Sequence, residues 1–240
     1  MRVFIVGNDN YPRNPLSGCI NDAESWRNFF RDCDDMITLQ DANKTQMLDG
    51  LKWLAEEGGI FCYSGHGTIV ASDEPDGYSE AMCCIDFSTI TDRELASVLM
   101  PGGNRITCIL DCCHSADEYR QTGTRQGRFI ALEDAPAVDL QDEDGSRAEA
   151  RTKKLWADTN VVILGACRSN QSALEVTVKK VRRGAFSYAL QATYRQQGLR
   201  AWTNEAGSYI KKTLQKNGQV PRAIGNAKYL NETLIQEDAK

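Results

Sequence analysis

The sequence predicts an α/β domain whose largely parallel sheet is covered by helices on its faces. Short, β-rich apolar runs recur at 3–6, 36–39, 60–63, 106–110 and 161–164, and the segments between them carry apolar residues at helical spacing. Strands that alternate with crossover helices are buried on both faces, so they read as continuous apolar runs rather than as an apolar/polar alternation.

Taken in order, the first run leads through Gly7 into a stretch at 21–30 that starts on Asn21-Asp22 and places Trp26, Phe29 and Phe30 on one helical face. Residues 45–55 do the same with Met47, Leu48, Leu51 and Leu54, so both are expected to be crossover helices. A third helix is expected at 92–99, stopped by Pro101-Gly102-Gly103, and two more at 184–196 and 203–214. The stretch 73–78 is a turn-rich loop. From 118 to 158 the rhythm breaks into Gly, Pro, an acidic run at 139–144 and scattered basic residues. That composition predicts a long mobile linker between a large segment, 1–117, and a small one, 159–240, of a single domain.

Composition narrows the class. With 41% hydrophobic and 25% charged residues the chain is neither disordered nor collagen-like, and no apolar run approaches membrane-spanning length. The apolar stretch at the start is too short for a secretory leader, which predicts a soluble, cytoplasmic protein without membrane contact. A net charge of −5 without a dominant basic stripe argues against nucleic acid and for basic partners. Nine cysteines, an odd number, fit reduced thiols better than a disulfide framework. Cys83-Cys84 and Cys112-Cys113-His114 lack the paired spacing on which a tetrahedral zinc site draws.

Reactive groups collect where strands of an open parallel sheet end at their carboxyl side. One run ends in Tyr63-Ser64-Gly65-His66-Gly67, and a later one in Asp111-Cys112-Cys113-His114-Ser115. A thiol attacks as thiolate, and an imidazole can both take its proton and return it to a leaving amine, which suits amide hydrolysis. Of the two histidines, His114 adjoins the thiols along the backbone, whereas His66 can reach across from another strand end. Gly67 would let backbone N–H groups approach a substrate carbonyl. Each motif alone reads as an ordinary turn or a buried thiol; their joint occurrence at strand ends points to a dyad.

These residues carry a resemblance. Tyr63-Ser64-Gly65-His66-Gly67, followed by an Asp-x-Cys-His-Ser pattern at 111–115, is similar to the metacaspases and their prokaryotic relatives, the orthocaspase-type enzymes, among the caspase-like cysteine peptidases. The likeness extends to Gly18-Cys19-Ile20-Asn21-Asp22-Ala23, Arg128-Phe129-Ile130, Gly165-Ala166-Cys167, Gln171-Ser172-Ala173 and Gly184-Ala185-Phe186-Ser187-Tyr188, and so covers almost the whole chain. It implies the three-layer caspase-like fold, a nucleophile at Cys113 with Cys112 at the variable position, His66 as base, and an oxyanion hole made by the N–H groups of Gly67 and Cys113. A noncatalytic scaffold of the same fold is the alternative, weakened by the presence of both Cys and His.

The resemblance also implies a pocket for the residue before the cut bond (P1), built from Cys19, Asp22, Ser64 and Asp111, where caspases have Gln at the place of Asp111. Two partly desolvated carboxylates favour a guanidinium or ammonium and repel an aspartate, so cleavage after Arg or Lys is expected. Arg120, Arg125, Arg128, Arg147, Arg151, Lys153 and Lys154 then become candidate processing sites in the linker, cut by the enzyme itself or by an upstream protease. No cofactor is needed for this chemistry. Metacaspases commonly respond to calcium, and Asp76, Glu80 and Asp92 are the candidate ligands. The match is incomplete, with Ser79 and Arg93 standing where further acidic residues are frequent. Similar proteins act as zymogens in cell death or antiviral defence and are usually monomers, and the same is expected here, with protein substrates as partners.

Overall fold

The computed structural model describes residues 1–33, 35–74, 77–113, 128–132, 146–168, 171–197 and 219–230. Along the chain run β1 (Arg2–Gly7), α1 (Cys19–Phe29), β2 (Asp35–Gln40), α2 (Lys44–Glu57), β3 (Gly59–Ser64), β4 (Gly67–Ala71), β5 (Tyr78–Cys83), β6 (Thr89–Thr91) and α3 (Asp92–Leu99). They are followed by β7 (Ile106–Asp111), α4 (Ser146–Trp156), β8 (Val161–Gly165), β9 (Glu175–Val178), β10 (Val181–Gly184), α5 (Ala185–Gln197), β11 (Arg222–Gly225) and α6 (Ala227–Leu230).

A central six-stranded sheet has the order β11-β8-β7-β3-β1-β2. All its pairings are parallel except β11 on β8. Alternate residues of each strand point to opposite faces. Val3 and Ile5 of β1 with Ile60 and Cys62 of β3 therefore meet Trp26 of α1 and Phe186 and Leu190 of α5. Phe4, Val6, Phe61 and Tyr63 meet Met47, Leu51 and Leu54 of α2, Leu95 and Leu99 of α3, and Trp156 of α4. This is the expected three-layer arrangement, helices on both faces of a mostly parallel sheet.

α2 and α3 begin with reciprocal capping boxes, Asn43 with Gln46 and Thr91 with Glu94. Such caps satisfy amides that the first helical turn leaves open, worth about 1 kcal/mol each. All nine cysteines are free thiols, and only Cys33 is not buried. Among the described residues no helix is long and apolar enough to cross a membrane.

Two features depart from the sequence reading. β4–β6 form a separate three-stranded antiparallel sheet, and β9–β10 a hairpin, both from strands too short and too polar to stand out by periodicity. The linker expected at 118–158 is not wholly irregular. Within it α4 buries Trp156, and 128–130 are buried, Phe129 and Ile130 because their apolar side chains find room in the core and Arg128 because carboxylates surround it. The helix expected at 203–214 lies outside the described residues.

Candidate active site

The sheet order brings the two motifs together. β3 and β7 are adjacent and parallel, with Ser64 level with Asp111, although β4–β6 and α3 separate them along the chain. Their carboxyl ends therefore deliver Gly65-His66-Gly67 and Cys112-Cys113 to one crevice. β1 ends level with Ser64 and feeds the loop that leads to α1, which adds Tyr11, Asn14, Cys19 and Asp22. Gly65 is required there, since a Cβ would run into the hydroxyls of Tyr63 and Tyr11.

His66 is almost fully buried and held on every side. Its N–H donates to Tyr11 Oη at 3.0 Å, and its carbonyl accepts from Tyr63 Oη at 2.7 Å and from the Cys83 N–H at 2.9 Å. The Tyr11 ring leans on the imidazole, with centroids 4.6 Å apart. Nε2 lies 2.7 Å from the Asn14 carbonyl. A carbonyl can only accept, so Nε2 carries the proton and the lone pair is left on Nδ1, which is buried and makes no hydrogen bond of ordinary geometry with the described residues. Burial lowers the imidazole pKa, the carbonyls of Asn14 and Arg128 raising it in part, so the ring is neutral at neutral pH. Asn14 presents its carbonyl from a left-handed backbone (φ 52°), which asparagine tolerates better than most residues.

Cys113 is buried at the end of β7, and its thiol is pushed up to about 12 by that burial, only partly offset by nearby backbone amides and the charge of Arg128. What covers it is the chain's own segment 128–130. The Arg128 carbonyl oxygen accepts the N–H of Gly67 at 2.8 Å and that of Cys113 at 3.4 Å. The Arg128 N–H donates to the Ala173 carbonyl at 3.1 Å, and the Ile130 N–H to the Gly67 carbonyl at 3.1 Å. The segment thus lies along Gly67 as a short parallel bridge at Phe129, with a peptide carbonyl set between the two amides expected to form an oxyanion hole.

The Arg128 side chain enters the expected pocket and is fully buried. Nη1 donates to Ser64 Oγ at 2.6 Å and to the Asp111 carbonyl at 3.0 Å, and lies 3.2 Å from Asp111 Oδ1. Nη2 meets Asp22 Oδ2 at 2.8 Å and Glu175 Oε1 at 3.4 Å. Cys19 is close enough to interact with the guanidinium, its thiol kept protonated by burial. Burial outweighs the Arg128 charge at Asp111 and raises its pKa, while the surrounding carboxylates raise that of Arg128. Gly184 closes the pocket: its N–H donates to Asp22 Oδ2 at 2.8 Å, and a Cβ there would strike Asp111 Oδ2. Asp22 and Asp111 are further tied down by Arg183 at 2.8 Å and by the Ser187 N–H at 2.8 Å. A fully buried cation needs such multiple, fixed acceptors to offset its loss of hydration.

The structure therefore gathers Cys113, His66, Gly67, Cys19, Asp22, Ser64 and Asp111 at one site. Sequence reasoning missed Glu175, the Asn14 carbonyl and the Ala173 carbonyl. The two carbonyls carry no side-chain signal, and Glu175 opens a short hairpin strand that nothing local distinguishes. Among the linker candidates Arg128 alone is seen in the pocket. Arg151 lies elsewhere, Lys153 and Lys154 lie in the last turn of α4, Arg147 is described only as part of that helix, and Arg120 and Arg125 fall outside the described residues.

The two described candidates for calcium each face an arginine. Glu80 Oε2 pairs with Arg222 Nη2 at 2.8 Å, and Asp92 Oδ2 lies 3.8 Å from Arg151 Nη2; Asp76 is outside the described residues. Asp9, Cys19 and Glu175 also approach one another within 4.8 Å. Asp9, however, accepts the N–H groups of Cys19 and Ile20 at the start of α1, and Glu175 pairs with Arg128 and Arg182, so this trio fits a metal poorly.

Comparison with known proteins identifies the family and the fold. A family model described as a caspase domain matches residues 1–224. Metacaspase-1 of Mycosarcoma maydis is 28% identical over 81% of this chain, and Metacaspase-1 of Arabidopsis thaliana 26% over 78%. The chain spans 64% and 62% of those relatives' own lengths. A crystal structure of a Geobacter sulfurreducens protein superposes with a TM-score of 0.70 at 23% identity, covering 97% of both chains, and shares the fold. The match of the family model along nearly the whole length places the chain in the caspase-domain family, with metacaspases among its relatives.

Proposed function

We propose that the protein is a caspase-like cysteine endopeptidase that cuts after arginine or lysine, and that it is matured by cutting its own chain between Arg128 and Phe129. One observation carries this reading. The Arg128 carbonyl accepts from both candidate oxyanion-hole amides while its guanidinium fills the acidic pocket, so one residue meets the geometric demands of both specificity and chemistry.

The steps follow from the atoms present. His66 Nδ1 takes the proton of the Cys113 thiol as the sulfur attacks the Arg128 carbonyl carbon. With the thiol pKa near 12 and the imidazole pKa lowered, the proton rests on sulfur beforehand, so transfer accompanies attack. The oxygen gains negative charge between the Gly67 and Cys113 N–H groups, and the longer of these bonds, 3.4 Å, tightens as the carbon becomes tetrahedral. His66 returns the proton to the Phe129 nitrogen, the C–N bond breaks, and a Cys113–Arg128 thioester remains. A water molecule, deprotonated by His66, hydrolyses it to free thiol and a carboxyl-terminal Arg128. The Asn14 carbonyl holds the ring in the required tautomer throughout and favours its protonated form. Once Arg128 leaves, the same pocket receives basic residues of protein substrates, consistent with a zymogen role in defence or cell-death proteolysis.

The test is intact-mass analysis and amino-terminal sequencing of the purified chain and of Cys113→Ala, with and without calcium. The expected result is a new amino terminus at Phe129 in the parent and none in the variant. A parent that stays whole and hydrolyses no peptide after Arg or Lys would overturn the reading.

A further inference from the structure

Resting on that reading, we infer that the enzyme also selects the two residues after the cut bond, preferring a large apolar side chain at the first and a branched aliphatic one at the second. The chain's own Phe129 and Ile130 occupy these places. The backbone fixes them, since Gly67 bonds to the carbonyl of Arg128 and to the N–H of Ile130, so both side chains are presented in register with the scissile peptide.

Their surroundings are apolar. Ile130 is 2% exposed in a compact cluster with Tyr11, Leu16, Cys19 and Cys83, rimmed by Phe87. Phe129 is 7% exposed and belongs to the larger cluster that includes Cys113, Ile69 and Ala173. Ala131, next along, is exposed. The Ile130 subsite is rigid because Tyr11 donates its hydroxyl to the Cys83 carbonyl at 2.9 Å and stacks near Phe87. The same Tyr11 braces His66, so filling this subsite packs against the residue that orients the base. A carboxylate or ammonium placed there would lose its hydration without a partner. Acidic P1 pockets explain selection of a basic residue; this apolar strip adds a second criterion, an apolar pair on the leaving side.

The experiment has two arms. In the first, self-cleavage of the full chain is timed by gel and mass. Ile130→Ala and Phe129→Ala should slow it roughly tenfold or more, and Ile130→Asp about a hundredfold, while Ala131→Asp stays near the parental rate. In the second, the cut enzyme is given peptides with Arg before the bond and Phe-Ile, Ala-Ala, Gly-Gly or Asp-Asp after it, and kcat/KM should favour Phe-Ile by roughly tenfold or more. Parental self-cleavage by Ile130→Asp, or equal hydrolysis of all four peptides, overturns the inference while leaving cleavage after Arg intact. Absence of cleavage after Arg in every peptide instead sinks the underlying protease reading.

Discussion

Among the described residues of 118–158, two arginines are captured by acidic groups, and one of them lies as the proposed substrate would. Arg128 is fully buried among Asp22, Asp111 and Glu175, with its carbonyl against Gly67 and Cys113. Arg151, on α4, donates to the Tyr78 carbonyl at 2.6 Å, stacks over the Tyr78 ring, and lies 3.8 Å from Asp92. Carboxylates hold both side chains, but a regular helix buries the backbone carbonyl of Arg151 in its own hydrogen-bond ladder, whereas residues 128–130 lie extended along Gly67. On the proposed reading, capture of a guanidinium does not suffice for cleavage, and an extended backbone that brings the carbonyl to the amides must accompany it.

That contrast can be broken most severely at the arginines themselves. Arg128→Gln should slow cutting at 128–129 at least about a thousandfold, because it removes the buried cation that Asp22, Asp111 and Glu175 share. Arg151→Gln should change the rate less than about fivefold, because its side chain meets Tyr78 and Asp92 and not the pocket. Time courses of full-length chain on gels would separate the two, and similar losses would erase the distinction.

Within the pocket the expected effects are graded. Asp111→Asn or Asp22→Asn should lower kcat/KM for Arg peptides about a hundredfold, and Glu175→Gln only about tenfold, since Glu175 is 3.4 Å from the guanidinium and shared with Arg182. Steady-state kinetics on matched Arg and Gln peptides would check this order.

Self-cleavage should also keep its rate to lower pH than a free imidazole allows. The base must be neutral, burial lowers its pKa below the ordinary 6.5, and activity is lost only as pH falls through that lowered value. A pH–rate profile whose acid limb lies at or above 6.5 would contradict the environment described for His66.

The smallest effect is expected at Asp92. Burial raises its pKa from 3.8 to about 6 despite Arg151. The folded chain therefore binds more protons than the unfolded one between those values, and this contribution to stability is present at low pH and lost as pH rises through 6. Asp92→Asn should remove that pH-dependent part, of order 1 kcal/mol given the opposing pull of Arg151 and the α3 dipole. Urea titrations at pH 5 and 7.5 would measure it.

Much of the fold was legible because strand runs such as Val3-Phe4-Ile5-Val6 are apolar on both faces, and helix faces such as Met47, Leu51 and Leu54 keep their period. β4–β6 were not, because Glu80 and Ser79 interrupt any apolar pattern and Glu80 pairs with Arg222, far along the chain. The pairing of a cysteine motif with His66 was legible from their joint occurrence at strand ends, while the choice of Cys113 and the roles of Asp22 and Asp111 came from the resemblance to metacaspases. Glu175 was not, because its meaning depends on an arginine 47 residues away along the chain.

The sequence by itself determined the alternation of strands and helices and the two motifs of the candidate dyad, since each is written in local pattern or residue chemistry, and its resemblance to metacaspases implied the acidic pocket. Tertiary structure alone decided that β3 lies beside β7, that Asn14 offers the carbonyl that orients His66, and that Arg128, among the chain's basic linker residues, enters the pocket. Those are matters of which distant segments share a burial site, and no local rule of hydrogen bonding or periodicity specifies such pairings.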